Sequence, residues 1–252
     1  MTLQIPGLDP LAARELLARE HPGHYSESRF GYHNEPFHWE WFDLELREPR
    51  LTVVAPRDTA KSEVFSVATT CWFAERWPGS WQYIFCDSEP QGKLILERVV
   101  TAMVQANHEL VAGIVKDEAT DVIFGNFSRV SVAGVGKRVR TAHPDRVVGD
   151  DVLNDASTAT SLQRRKTDRW WNGTVAGMAH TGVWRREGWG KGRGEAVVRY
   201  YPASKLRLIG TPFHQSDLLM SMKRNPIYRF YRYKAESHPG ERVAGTWAVE
   251  IS

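Results

Sequence analysis

Short runs of β-branched and aromatic residues alternate along this chain with longer segments whose apolar positions recur at helical spacing. The short runs predict six strands: Leu51–Ala55, Gln82–Cys86, Val122–Gly125, Arg129–Val132, Arg146–Gly149 and Leu206–Gly210. The longer segments predict six helices: Pro10–Glu20, Pro36–Arg47, Ser62–Trp77, Glu89–Glu109, Thr158–Ala176 and His214–Met222. Strands that alternate with long helices are typical of a mostly parallel central sheet with helices on both faces. The pattern therefore predicts a three-layer α/β fold.

Three segments depart from this alternation. Asp9 is positioned to cap the first helix and Pro22–Gly23 to end it, which leaves a loop up to Pro36. In Val183–Tyr201, glycines alternate with arginine and lysine, a composition typical of a mobile basic hairpin or loop. That segment is either a plain surface excursion or a contact for a polyanion. Ile227–Ser252 contains proline, glycine and basic-aromatic residues, and we interpret it as a linker.

Composition is that of a soluble globular protein, with 42% hydrophobic and 25% charged residues. No run reaches the ~20 apolar residues of a membrane span, and the N-terminus lacks the basic and apolar regions of a signal peptide. We therefore expect a cytosolic protein that makes no membrane contact. Cys71 and Cys86 are too few for a disulfide scaffold, so we expect both to be reduced and buried.

Charge is distributed unevenly between the two halves of the chain. Residues 129–252 contain 22 Lys and Arg against 11 Asp and Glu, whereas residues 1–128 contain 11 against 19. A basic half indicates a polyanionic partner. Scattered surface charge would give the same composition.

The segment from Ala55 to Ser62 lies between a predicted strand and a predicted helix, where a phosphate-binding loop belongs. Its spacing matches G-x-x-x-x-G-K-[ST], in which the lysine reaches the β- and γ-phosphates and the hydroxyl ligates Mg²⁺. Lys61 and Ser62 fit these roles, but alanines at positions 55 and 60 replace both glycines, so the loop must avoid the usual glycine conformations or be strained. An ordinary strand–turn–helix connection is the alternative. The predicted nucleotide contacts in the loop are Pro56, Arg57, Asp58, Thr59, Ala60, Lys61 and Ser62.

Two acidic residues follow the predicted strand Arg146–Gly149. Asp150 is the candidate Mg²⁺ ligand, and Asp151 is the candidate group that polarises the attacking water, although it is one methylene shorter than the usual glutamate. A turn after a strand, or a nuclease acid pair, would also give this dipeptide. Thr211 follows the next predicted strand. Because parallel sheets bind ligands at the carboxyl ends of their strands, we expect Ser62, Asp150 and Thr211 to meet at one edge.

Together these motifs resemble the ATPase domain of the large terminase subunit, which packages DNA into the procapsids of tailed phages. The matching segments are Ala55–Ser62, Arg140–Asp151 and Ile209–Pro212, and the resemblance spans roughly residues 35–220. A Walker A loop with Pro-Arg and without the glycines is common in that family. The resemblance implies a P-loop NTPase fold of the ASCE-like type, with ATP and Mg²⁺ as cofactors.

The resemblance also implies roles that spacing alone does not give. Arg140 best matches the arginine that terminases direct at the γ-phosphate held by a neighbouring subunit, with Arg138 as the second choice; a basic turn is the alternative. Phe37 and His38 occupy the position of the family's adenine-binding motif, where aromatic residues are more often part of the core. Thr211 matches the coupling motif and would sense the state of the γ-phosphate.

By resemblance, the chain hydrolyses ATP to translocate double-stranded DNA into a procapsid. The implied partners are DNA, the portal protein and procapsid, the small terminase subunit and further copies of the chain in a ring, in the host cytoplasm. The expected organisation is an N-terminal helical segment (1–50), an ATPase core (51–225) and a C-terminal linker (226–252), with no nuclease domain in this chain.

Two other function classes stay open at the level of sequence. One is a helicase-like P-loop translocase, and the other is a non-hydrolysing DNA-binding or scaffold module with a decayed nucleotide site. Trp170–Trp171, which follows the basic cluster Arg164–Lys166, predicts either a base-stacking platform or, preferably, an anchor that fixes a helix to the sheet.

Overall fold

A nine-stranded sheet forms the centre of the protein, whose computed structural model describes residues 9–137, 139, 142–187, 197–234 and 248–251. In spatial order its strands are β11 (Ala248–Ile251), β10 (Arg229–Lys234), β1 (Arg50–Val54), β9 (Lys205–Gly210), β6 (Arg146–Asp150), β2 (Trp81–Cys86), β5 (Arg129–Gly134), β4 (Asp121–Ile123) and β3 (Lys116–Glu118). The six strands from β10 to β5 are mutually parallel, whereas β11, β4 and β3 join by antiparallel pairing. The mostly parallel α/β fold predicted from the sequence is confirmed.

Helices cover both faces of this sheet. They are α1 (Pro10–Glu20), α2 (Pro22–Phe30), α3 (Pro36–Arg47), α4 (Thr69–Arg76), α5 (Glu89–Ala106), α6 (His108–Ala112), α7 (Asp155–Thr158), α8 (Ser161–Trp170) and α9 (Leu218–Ser221), with π-helical turns at Glu63–Ala68 and Trp171–Val175. Successive strand residues such as Ile84 and Phe85 belong to separate hydrophobic clusters. Because side chains alternate across a strand, these two clusters lie on opposite faces of the sheet and make a three-layer structure.

The N-terminal helices differ from the sequence expectation at Pro22. Asp9 caps α1 as predicted, since its carboxylate accepts hydrogen bonds from the backbone N–H groups of residues 11 and 12. Pro22, however, begins α2 rather than ending α1, and the His21 ring accepts from the Gly23 N–H at 3.0 Å. Gly31, with a φ of 69°, ends this second helix. Proline is favoured in a first helical turn, so the same dipeptide that stops one helix also starts the next.

The predicted long helices are each interrupted. Residues 62–77 form a π-helical turn and then α4, residues 89–109 divide after Ala106, and residues 158–176 divide between α7, α8 and a second π-helical turn. The predicted helix over His214–Met222 is reduced to α9, a single turn. Apolar periodicity marks these segments as helical but does not reveal where the hydrogen-bond pattern changes.

The segment interpreted as a linker contributes two strands, β10 and β11, to the sheet. β10 pairs in parallel with β1 along residues 51–54, and Phe230 and Tyr233 are buried in the two hydrophobic clusters. Arginines interleaved with the aromatic residues hid this strand in the hydrophobic pattern. A domain boundary at residue 225 would therefore separate β10 and β11 from the sheet to which they belong.

A buried charge network joins the N-terminal helices to the sheet. Glu45 on α3 accepts hydrogen bonds from Arg146 on β6 (Nε–Oε1, 2.9 Å) and Arg207 on β9 (Nε–Oε2, 2.7 Å), and all three side chains are fully buried. Lys205 donates to the Glu45 carbonyl at 2.6 Å. Burial alone would raise the pKa of Glu45, but the two guanidinium groups outweigh it and hold that pKa at about 2.

A separate two-stranded hairpin, β7 (Gly182–Glu187) with β8 (Val197–Pro202), interrupts the alternation where the sequence predicted a basic hairpin or loop. Residues 188–196 lie outside the described residues. Both cysteines are buried and free, as predicted, and burial raises the pKa of each thiol. In the part of the chain that is described, no helix has the length and apolar character needed to cross a membrane.

Candidate nucleotide site

A cavity of about 630 Å³ opens where the parallel strands end. Three of the motifs predicted from sequence meet there, since the loop after β1 and the ends of β6 and β9 all border it. The lining residues are Arg57, Asp58, Ala60, Lys61, Ser62, Glu63, Asp87, Gln91, Arg98, Asp151, Leu153, Asn154, Asp155, Thr211 and Phe213. The expectation that Ser62, Asp150 and Thr211 meet at one edge agrees with this geometry.

The loop after β1 adopts glycine-like backbone conformations without glycine. Asp58 and Ala60 have φ values of 62° and 59°, in the left-handed region that costs an alanine roughly 1–2 kcal/mol. The Thr59 hydroxyl donates to the Pro56 carbonyl at 2.9 Å, and the Val64 N–H donates to the Ala60 carbonyl at 3.0 Å, so the loop leads directly into the helix. Of the two possibilities raised by the sequence, the loop is the strained one.

Lys61 is held inside this loop. Lys61 is 5% exposed, and its amine donates to the carbonyls of Pro56 (2.6 Å) and Ala55 (3.1 Å), with the Thr211 hydroxyl 3.4 Å away. Burial lowers the pKa of this amine, and the carboxylates of Asp151 and Asp150 act in the opposite direction. Lys61 and Thr211, which are far apart in sequence, therefore lie together at the cavity wall.

Asp150 accepts one hydroxyl hydrogen bond on each carboxylate oxygen. Ser62 donates to Oδ1 at 2.9 Å and Ser66 donates to Oδ2 at 2.6 Å. Asp150 is 3% exposed, and burial raises the pKa of its carboxyl group to about 6. Ser66 was not predicted from the sequence; its signal is the spacing of four residues from Ser62, which places both hydroxyls on one helical face.

This donor set suits Mg²⁺ held jointly with phosphate. Mg²⁺ takes oxygen ligands and is usually held by one or two carboxylates plus substrate phosphates rather than by an all-protein cage. The Asp150 carboxylate and the Ser62 hydroxyl are such ligands and lie in contact beside the cavity. Among the described residues no group of three or more His, Cys, Asp or Glu side chains could hold a metal ion.

Asp151 lies against the loop after β9. Its Oδ1 accepts the backbone N–H of Thr211 at 3.2 Å, and its own N–H donates to the Ile209 carbonyl at 3.1 Å. Asp151 has a φ of 43°, and a Cβ built on Gly210 would lie 2.8 Å from the same carboxylate oxygen. The contact between Asp151 and the Thr211 backbone thus depends on glycine at position 210.

The other predicted contacts divide into two groups. Arg57 and Asp58 line the cavity, with the Arg57 guanidinium 6.0 Å from the centre of the Phe213 ring. Phe37 and His38 do not line it: Phe37 packs against the core, and the His38 Nε2 is 3.0 Å from the Thr59 carbonyl. Burial lowers the pKa of His38. In this geometry, His38 supports the loop backbone.

Two predicted arginines cannot be placed, and one unpredicted arginine lines the cavity. Arg138 and Arg140 lie outside the described residues. Arg98 on α5 forms an ion pair with Glu63, which also accepts a hydrogen bond from the Tyr32 hydroxyl at 2.9 Å. Nothing in the local pattern of α5 distinguishes Arg98, because only the packing of α5 beside the loop brings it to the cavity.

The fold is similar to that of solved large terminases. The ATPase domain of the large terminase of Thermus phage P74-26 is 15% identical to this chain, and the match covers 76% of this chain and 70% of that chain with a TM-score of 0.48. A point mutant of the same domain has the same identity and the same coverages, with a TM-score of 0.49. The large terminase of bacteriophage HK97 is 13% identical, with 82% of this chain and 40% of that chain covered at a TM-score of 0.50. No protein-family model and no curated protein matches the sequence. The resemblance stated from the motifs is confirmed at the level of the fold.

Proposed function

We propose that this chain is the ATPase motor domain of a viral terminase large subunit, which hydrolyses ATP to translocate double-stranded DNA into a procapsid. The observation that carries the proposal is the convergence of Lys61 and of the Ser62–Asp150 pair at one edge of the sheet. Three motifs, which together span 150 residues of the chain from Lys61 to Thr211, supply these groups and Thr211, whose hydroxyl lies 3.4 Å from the Lys61 amine. The terminase-like fold supports the same conclusion.

In this proposal, Lys61 holds the β- and γ-phosphates. Its amine already lies at the cavity wall but is engaged by the carbonyls of Ala55 and Pro56, so phosphate oxygens would replace those acceptors. Ser62 and Asp150 would hold Mg²⁺, which when bound neutralises charge on the transferring phosphoryl group. Arg57, which also lines the cavity, would add a further positive charge beside the phosphates.

Asp151 would orient the attacking water, and Thr211 would sense the γ-phosphate. The hydrogen bond from the Thr211 N–H to Asp151 links these two roles, because a movement of the carboxylate towards water changes the backbone contact of the loop after β9. Asp151 is shorter than a glutamate, and its left-handed backbone conformation shifts its position relative to an extended strand residue.

The partners follow from the same proposal. Arg140, or Arg138 as the second choice, would act on the nucleotide of a neighbouring copy, which requires a ring of subunits. Portal protein, procapsid and the small terminase subunit would be its other protein partners, in the host cytoplasm. The adenine contact expected of Phe37 and His38 is not part of this proposal, because neither residue lines the cavity; His38 would instead support the loop through the Thr59 carbonyl. The chain spans about two fifths of the HK97 protein, so activities of a whole terminase are part of the proposal.

ATP hydrolysis by the assembled protein tests the assignment of the loop. We expect Lys61→Ala to lower turnover by about 10²–10³-fold, the size of effect seen when a transition-state donor is removed. The matched control is Lys93→Ala, which removes a partly exposed lysine that pairs with Glu89. Lys205→Ala would not serve, because the Lys205 amine is part of the Glu45 network. Unchanged hydrolysis in Lys61→Ala would refute the site.

Two further measurements separate the alternatives. Stimulation of hydrolysis by single strands far above that by duplex would favour a helicase-like translocase. Failure of the wild-type protein to bind a fluorescent ATP analogue in the presence of Mg²⁺ would favour a non-hydrolysing module.

Arg140→Ala is expected to keep nucleotide binding and lose turnover. Mixing such subunits into wild-type assemblies separates action in trans from action in cis.

A further inference from the structure

Helix α8 presents a basic face to solvent. The helix contains four cationic residues and a single acid, and Arg165, Lys166 and Arg169 are exposed. Arg165 and Arg169 are four residues apart and therefore neighbours on the helix surface, with Lys166 beside them. We call these three residues the basic face.

The basic face has no neutralising partner within the described residues. The fourth cation of α8, Arg164, donates to the Thr158 carbonyl at 2.6 Å, and the one acid of the helix, Asp168, accepts a hydrogen bond from Ser221 at 3.0 Å. Arg19, Arg47 and Lys93 on other helices do have carboxylate partners, and Lys93 pairs with Glu89 at 3.1 Å. An uncompensated cluster on one rigid face fits a polyanion better than solvent alone.

The helix is fixed firmly to the sheet beside the nucleotide site. Trp171, directly after α8, is fully buried and donates its indole N–H to the Tyr228 hydroxyl at 3.1 Å. Its ring packs on Gly149, where a Cβ would lie 2.5 Å from the nearest ring atom. Gly149 precedes Asp150 on β6, so the helix that carries the basic face rests on the strand that ends at the cavity.

We propose that the basic face of α8 binds the phosphate backbone of duplex DNA. This inference rests on the proposed function and names the surface that would hold the DNA. Neither tryptophan of the pair is free to stack on bases, since Trp171 is buried and Trp170 packs edge-on against Phe85 at 5.2 Å between ring centres. A charged face without available stacking rings fits a duplex backbone rather than a single strand.

The position of α8 gives this contact a mechanical consequence. Force on the basic face passes through Trp171 to Gly149, one residue from the Asp150 carboxylate. The same chain segment continues from Asp151 through Asn154 and Asp155, which line the cavity. DNA held on α8 is therefore connected to the nucleotide site through directly packed residues.

The test is the binding of the full chain to a labelled duplex of arbitrary sequence over a series of salt concentrations. Replacing all three residues of the basic face with alanine is expected to weaken binding by at least 10-fold at 0.1 M salt. It should also reduce the slope of log K against log salt by about 2–3, because each phosphate contact contributes about 0.9. The matched control removes three exposed cations that have carboxylate partners: Arg19→Ala, Arg47→Ala and Lys93→Ala.

Each outcome decides between the inference and the function on which it rests. Equal salt slopes for the basic-face and control variants, with wild-type protein binding duplex, would overturn the inference and leave the function standing. A wild-type protein that binds no duplex would overturn both, and tighter binding of a single strand would overturn the choice of duplex. Thermal melting of the variants, and a second triple variant with glutamines, show that any loss of affinity is not a loss of folding.

Discussion

Replacing Glu45 with glutamine is expected to destabilise the protein strongly although the nucleotide cavity is left untouched. Glu45→Gln keeps the shape of the side chain and removes its charge. Arg146 and Arg207 would then be two fully buried cations without their shared carboxylate. Removing one member of a buried ion pair costs about 3–5 kcal/mol, because the remaining charge is neither solvated nor paired.

The pKa of Glu45 gives a similar value for the free energy of unfolding that would be lost. The pKa of Glu45 falls from 4.5 to about 2 in the folded protein. At about 1.36 kcal/mol per pKa unit, this drop corresponds to roughly 3 kcal/mol of favourable interaction with the ionised carboxylate. Against a typical folding stability of about 5–15 kcal/mol, such a loss leaves a marginal protein.

Urea denaturation followed by circular dichroism measures the effect. With a slope of about 3 kcal/mol per molar urea, the midpoint should fall by roughly 1–1.5 M. The matched control is Asp43→Asn on the same helix, where an exposed carboxylate pairs with His21 and is worth less than about 1 kcal/mol.

The difference in stability between wild type and Glu45→Gln should depend on pH in a definite direction. Because the folded-state pKa of Glu45 is depressed, its contribution is fully present above about pH 4.5 and is lost as the pH falls towards 2. The stability difference between wild type and Glu45→Gln should therefore be constant from pH 7 to about 5 and shrink below that. A loss under about 1 kcal/mol at pH 7, or an equal loss in the control, would refute the reasoning.

Three further changes test the site and its supports. Ser66→Ala should raise the Mg²⁺ concentration needed for nucleotide-analogue binding by about 10-fold, since a hydrogen bond to a charged group is worth about 1.5–3 kcal/mol. The control Ser80→Ala removes a buried hydroxyl with no described partner and should leave that Mg²⁺ concentration unchanged. Equal shifts in the two variants would contradict a role of Ser66 through Asp150. Ala60→Gly should stabilise the protein by about 0.5–1 kcal/mol in urea denaturation, because it relieves a left-handed alanine; a loss of stability would show that the loop is not strained there. Gly149→Ala should cost about 1–3 kcal/mol by overlap with the indole that covers it, and a neutral result in thermal melting would contradict the packing.

Local pattern was enough to locate the loop that we propose binds phosphate. Ala55–Ser62 lies between a buried strand and a helix, and Asp150 ends another strand, so their meeting at one edge follows from the parallel sheet alone. The same local reasoning failed for β10, where arginines interrupt the aromatic residues, and for α2, where one proline both ends and begins a helix. In each case the deciding factor was a pairing or packing partner distant in sequence.

The sequence by itself determined the order of most elements and which residues are candidates for nucleotide binding, because hydrophobic periodicity and motif spacing are local properties. Only the tertiary structure decided that Ser66 supports Asp150, that Arg98 reaches the cavity, and that Glu45 joins α3 to two strands. Those contacts join groups whose separation depends on how helices lie on the sheet. Spacing along the chain sets which side chains share a face, whereas packing between elements sets which faces meet.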